Sequence, residues 1–183
     1  MPSSIVYAGE NRSMSIHNLE PWLRGPKHLP NPVAAHLRRG SDHIREDSAK
    51  ALAPLTASQI WATPHGVASA GFHAKHLAGS TRRLTAYLAG RQLDEAELAA
   101  SRGESDGTES AAELIRAIQE AFDDYEALVL ALPEALFGEI REIGRKRIPA
   151  TAVSIAIHIV EHGQRHVGQL ISAAKLSTAM NAE

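Results

Sequence analysis

Between Thr151 and Lys175 the chain carries His158, His162 and His166 at four-residue intervals in an otherwise apolar segment. Side chains four apart share one side of an α-helix, where two imidazoles can hold a single metal ion. With Ile155 as reference and about 100° per residue, Ile159, His162, His166, Leu170 and Ala173 fall in one narrow sector. His162 and His166 lie at its centre. His158 falls toward the edge as a flanking core residue, and Glu161 points away. A helix whose most buried stripe contains two histidines must pack that stripe against another element, and this requirement organises the reading of the remaining chain.

Three more long amphipathic segments supply partners. Pro32 suits a first helical turn, and the helix it opens extends to Leu55. Val33, Leu37, Ile44, Ala51 and Leu55 form its stripe, with His36, Gly40, His43 and Asp47 along the edge. A second helix runs from Ala68 to Ala89 and stops at Gly90; its broad apolar face holds Phe72, Leu77, Leu84 and Leu88 together with His73 and His76. Ser110 with Glu113 forms a capping box that opens a third helix, with Leu114, Ile118, Phe122, Tyr125 and Val129 at helical spacing until Pro133 stops it.

Shorter boxes at Thr56/Gln59 and Asp94/Glu97 predict single turns, the first bearing Ile60 and Trp61. The Gly-, Ser- and acid-rich stretch from Ser101 to Ser110 reads as a surface loop, and Glu134 to Pro149 as a short turn and a basic connection. Nothing alternates with period two over a useful length, so no sheet of consequence is expected. The fold class is all-α, a four-helix bundle, in which sites are commonly built from facing helices. Residues 1–31 read as an irregular arm packing Trp22 onto the body, 32–176 as the bundle and 177–183 as a short tail.

Composition narrows the chemistry. The 183 residues can bury an ordinary core without staples, so a metal would be functional rather than structural. There is no cysteine, which excludes thiolate sites and leaves histidine and carboxylate as ligands. A net charge of −2 with interspersed signs gives no footprint for nucleic acid or an anionic membrane. No stretch approaches the roughly 18 apolar residues of a membrane span and no signal peptide opens the chain, so a cytoplasmic protein is expected.

The two central histidines of the last helix, facing a second helix that offers His73 and His76, favour a ligand set over packed core residues. Helical phase leaves the choice between His73 and His76 open. The spelling His158-Ile159-Val160-Glu161-His162 also matches the inverted zincin pattern HxxEH, whose glutamate is the base. Phase turns Glu161 outward and leaves His166 without a role, so this pattern is set aside.

The passage Gly71-Phe72-His73-Ala74-Lys75-His76-Leu77-Ala78-Gly79-Ser80, then Arg83 to Gly90, then Gly144 to Pro149 leading to Glu161-His162-Gly163-Gln164-Arg165-His166-Val167-Gly168-Gln169-Leu170, resembles the DinB/YfiT-like family, from about Pro32 to Lys175. The resemblance implies a four-helix bundle with a divalent metal, nickel or zinc, on three histidines, here His76, His162 and His166. His73 is then an additional ligand or an orienting neighbour. Family members with assigned activities are metal-dependent transferases and isomerases that use low-molecular-weight thiols such as bacillithiol or mycothiol.

Three imidazoles leave a coordination position open, the pattern of a catalytic site, where water or a thiol would be activated. The expected function is a thiol-dependent S-transferase or a hydrolase acting on a small molecule; the alternative is a non-catalytic metal- or ligand-binding module. Asp47 and His43 are candidate bases, and Arg145 and Arg147 candidate anchors for an anionic substrate or cofactor. Wide apolar faces are compatible with a homodimer.

Overall fold

A computed structural model describes residues 19–24 and 31–180. Four long helices form the body: α1 (Pro32–Leu52), α3 (Ala70–Leu88), α5 (Ala111–Ala131) and α6 (Ala152–Met180), with the short α2 (Ala57–Trp61) and α4 (Glu95–Ala100) in the connections. Each of α1 and α3 packs on both α5 and α6, so α1 lies diagonally across from α3. Arg45 of α1 reaches Asp123 and Glu126 of α5, Gly40 meets Val160 and Ile44 meets Gly163 of α6, and Arg82 of α3 reaches Ala117 and Glu120 of α5. Residue numbers rise together along α1 and α6 in these pairings, and along α3 and α5 as well, since Lys75 pairs with Glu109 just before α5 and Arg82 with Glu120 within it. The bundle is therefore all-α as expected.

The predicted caps form. Thr56, Asp94 and Ser110 each accept from the backbone N–H three residues on, and the Gln or Glu at that position accepts from the cap's own N–H. Asn31 caps α1 through Oδ1, with Pro32 in the first turn. At the end of α3, Gly90 takes φ +80 while Arg91 N–H reaches the Ala86 carbonyl at 2.9 Å, closing the helix with a left-handed residue.

Several expectations need correction. The buried stripe of α1 is Ala34, Leu37, Ser41, Ile44, Ser48 and Leu52, whereas Val33 is exposed. The stripe is rotated because Ser41 enters the core by donating its hydroxyl to the Leu37 carbonyl at 3.2 Å, a pairing that counting apolar letters misses. Trp22 is 59% exposed; Pro21 is buried in its place, and Arg24 ties the arm to Glu46 of α1. Residues 1–18 and 25–30 of the expected arm lie outside the described residues. The expected tail is helical through Met180.

The basic connection before α6 is a hairpin, β1 (Ile140–Ile143) paired antiparallel with β2 (Ile148–Thr151), with Ile140 opposite Thr151 and Ile143 opposite Ile148. Its four-residue turn uses left-handed Gly144 and Arg147. Arg141 Nε donates to the Leu88 carbonyl at 3.0 Å, so the hairpin closes the C-terminal end of α3. Two strands of four residues give little room for a period-two signal.

Candidate metal centre

The centre lies in the seam between α3 and α6. Ser69 caps α3 by accepting from Phe72 N–H at 3.0 Å, which sets the phase of the first turns. His73 and His76, three apart, then face α6, and His162 and His166, four apart, face back. One nitrogen from each of His76, His162 and His166 lies within 4.8 Å of the other two. His76 Nε2 and His162 Nε2 are 3.1 Å apart. Three converging imidazoles fit a divalent first-row metal, for which nitrogen ligands at about 2 Å are normal.

Burial, with the charge of nearby His76 as the next cause, holds His162 and His166 down at about 4. Near neutrality both rings are uncharged, the state in which imidazole binds metal. His73 shifts down from its ordinary value for the same two reasons, burial first.

Two of the three rings have a defined outer partner. His76 Nδ1 sits 2.6 Å from Glu104 Oε2, so this nitrogen carries a hydrogen and donates it to the carboxylate, while Nε2 faces the seam. Glu104 Oε1 accepts from Arg83 Nη1 at 2.5 Å. Burial alone would raise the Glu104 pKa; the hydrogen bonds from His76 and Arg83 outweigh it, and the net shift is downward, so Glu104 is a carboxylate. His166 Nδ1 lies 3.2 Å from His73 Nδ1, leaving His166 Nε2 for the centre. The Phe72 ring stacks on His76, with centroids 5.6 Å apart.

The stretch from Ser101 to Ser110 is therefore more than a surface loop. Most of it is exposed, yet Glu104 is only 6% exposed, and Lys75 and Trp61 hold the stretch to the body through the Asp106 and Glu109 carbonyls. Sequence reading missed Glu104. The available signal lay on α3, where Gly79 and Arg83 follow His76 at three and seven residues and so share its stripe. A cation in line with a ligand calls for an anion, but which carboxylate of the loop turns inward depends on how the loop folds.

The other candidates lie elsewhere. His158 is exposed rather than a core residue, 4.0 Å from Glu161 Oε2, and Glu161 faces outward as its phase requires. His43 Nε2 pairs with Asp47 Oδ2 at 3.2 Å on α1, and Asp47 lines a cavity with Leu55, Ile171 and Lys175 on the α1 side of α6. Val160, which meets α1 at Gly40, is two residues from His162 and so about 200° around the helix from it. The structure does not bring His43 or Asp47 to the three histidines. Arg145 pairs with Glu95 at 3.4 Å and Arg147 with Glu142 at 2.5 Å, both exposed at the hairpin turn.

A separate cavity of about 440 Å³ adjoins the centre through His73, with Val67, Arg165, Gln169 and Leu176 in its walls. No curated protein matches the chain. A family profile does match, over residues 42–170, a span that contains all four seam histidines, Arg83 and Glu104. With more than half of its length covered, and with a four-helix bundle carrying a histidine cluster between its helices, the chain belongs to the DinB superfamily.

Proposed function

We propose that this protein is a metal-dependent enzyme acting on a small molecule, with His76, His162 and His166 as the ligands of a nickel or zinc ion. The observation that carries this reading is the convergence of one imidazole nitrogen from each of three histidines within 4.8 Å of one another. Imidazole sites suit zinc and nickel, and three protein ligands leave a position for a reactant. The bound ion supplies Lewis acidity, making a water or thiol at that position a better nucleophile near neutral pH. The chain's own residues provide orientation: Glu104 turns His76, His73 turns His166, and Phe72 shields one side of His76.

The reaction class is thiol-dependent S-transfer or hydrolysis. The cavity beside His73 supports a small-molecule substrate over simple metal storage, because its walls combine apolar Val67 and Leu176 with Arg165, which has no ion pair among the described residues. An anionic group on an otherwise apolar molecule suits such a wall. No helix among the described residues is long and apolar enough to cross a membrane, and a cytoplasmic enzyme remains our reading.

Metal analysis of untagged protein tests the centre. About one equivalent of nickel or zinc is expected in the wild type, with loss in His162→Ala and His166→Ala. Full occupancy in both variants would refute the ligand set. Turnover of thiol adducts versus esters and amides by the loaded protein then separates transferase from hydrolase, and turnover of neither favours a binding module.

A further inference from the structure

The Arg83–Glu104–His76 chain spans α3 and the 101–110 stretch, and its geometry is specific. Glu104 is nearly buried, its two oxygens are used by two different partners at 2.6 and 2.5 Å, and no other cation reaches it within salt-bridge distance among the described residues. The backbone makes room for it. A Cβ on Gly79 would collide with Glu104 Oε1 and lie 2.9 Å from Arg83 Nη1, so the carboxylate occupies space that any other residue at 79 would fill.

We propose that Glu104 is the positioning carboxylate of the metal centre: held by Arg83 over Gly79, it fixes His76 in the Nδ1–H tautomer and thereby presents Nε2 to the ion. This rests on the metal reading above and extends it to the 101–110 stretch, whose folding becomes linked to metal affinity. A carboxylate accepting from the outer nitrogen of a ligating imidazole fixes the ring's rotation and increases its basicity, and loss of such a partner typically weakens metal binding by about 10- to 100-fold. His162 has no comparable outer acceptor among the hydrogen bonds of the described residues, so the centre depends on His76 being fixed in advance.

Zinc affinity by chelator competition, together with ¹⁵N NMR of the imidazoles, provides the test. In metal-free wild type the His76 signals should show the Nδ1–H tautomer, and in the zinc-loaded protein that proton should stay hydrogen-bonded. Glu104→Ala should release the tautomer and weaken zinc by about 10- to 100-fold. Glu104→Gln, which keeps an acceptor oxygen but not the charge, should hold the tautomer and lose less. Gly79→Ala, with Glu104 intact, should reproduce part of the loss, and it keeps the question answerable if Glu104→Ala fails to fold.

A wild type that binds no zinc overturns the metal reading itself. A wild type that binds zinc tightly, with Glu104→Ala within about threefold of it or with an unchanged His76 tautomer, overturns the positioning role alone. Loss of the His76 Nδ1 proton signal on zinc loading also overturns it, since Glu104 would then have left the ring for the ion.

Discussion

Helix α6 has two working sides. Toward α1 it presents Val160 and Gly163 to Gly40 and Ile44, and the helices approach so closely that a Cβ on Gly163 would sit 2.5 Å from Ile44 Cδ1 and 3.3 Å from Phe122 Cζ. Toward α3 it presents His162 and His166 to His76 and His73, with ring nitrogens 3.1 to 3.2 Å apart. The first seam is closed by dispersion and area burial. The second is made of polar rings that pair nitrogen to nitrogen and can instead turn lone pairs to an ion, so it is open to a ligand where the first is filled by packing.

Breaking the polar seam should give the largest effect. His162→Ala or His166→Ala should weaken zinc or nickel binding by more than the roughly 100-fold ceiling typical of an outer partner, because a ligand itself is removed. Isothermal titration on untagged protein checks this. The comparison predicts little loss of stability in the metal-free forms, since each ring is part-exposed and contributes less packing than a residue of the α1 seam.

Closing the tight seam further comes next. Gly163→Ala gains roughly 1 kcal/mol of helix propensity. It also forces a methyl against Ile44 and Phe122, both fully buried, at an overpacking cost of about 1–3 kcal/mol. Neither neighbour can swing into solvent, so the clash wins. Urea denaturation should show net destabilisation of up to about 2 kcal/mol with metal binding preserved.

Acidification probes the polar seam alone. His162 and His166 lie at about 4 in the folded chain against an ordinary value of 6.5, so below about 6.5 the unfolded chain binds protons that the folded one refuses. Stability of the metal-free protein should therefore fall as pH drops from 6.5 toward 4 and level off below. Saturating zinc should steepen the dependence, because binding favours the same neutral rings. Denaturation midpoints at pH 7.5, 6.5 and 5.5 measure it, and a flat profile would mean that the rings are not held in a desolvated seam.

The two seams also differ in how far the sequence discloses them. Four helices, three capping boxes, the stop at Gly90 and the inward pair His162 and His166 are all legible, since each rests on residues close together in the chain. The choice of His76 over His73 is not legible in helical phase, because it depends on where α6 lies, and it comes only from the family resemblance. Glu104 is hidden for the same reason, being 28 residues beyond His76 in a loop whose composition resembles solvent-facing chain. The phase of α1 is misplaced by an apolar count because its core includes two serines, Ser41 and Ser48, the first bonded to its own helix, and the hairpin is too short to show its period.

The smallest effect comes from the second glycine of α6. Gly168, five residues beyond Gly163, resembles it in sequence as a small residue suited to close helix contact, but a Cβ there would meet nothing within 4 Å. Gly168→Ala should therefore stabilise the protein by roughly 0.5–1 kcal/mol, the ordinary gain from removing a glycine from a helix interior. The same substitution thus changes sign between two positions of one helix, and only the partner surface decides which. Gly168 also lines the cavity that holds His73 and Arg165. Should Gly168→Ala destabilise instead, as read by thermal melting at several protein concentrations, some surface beyond the described residues must pack there. A concentration-dependent melting temperature in the wild type would identify that surface as a second copy of the chain.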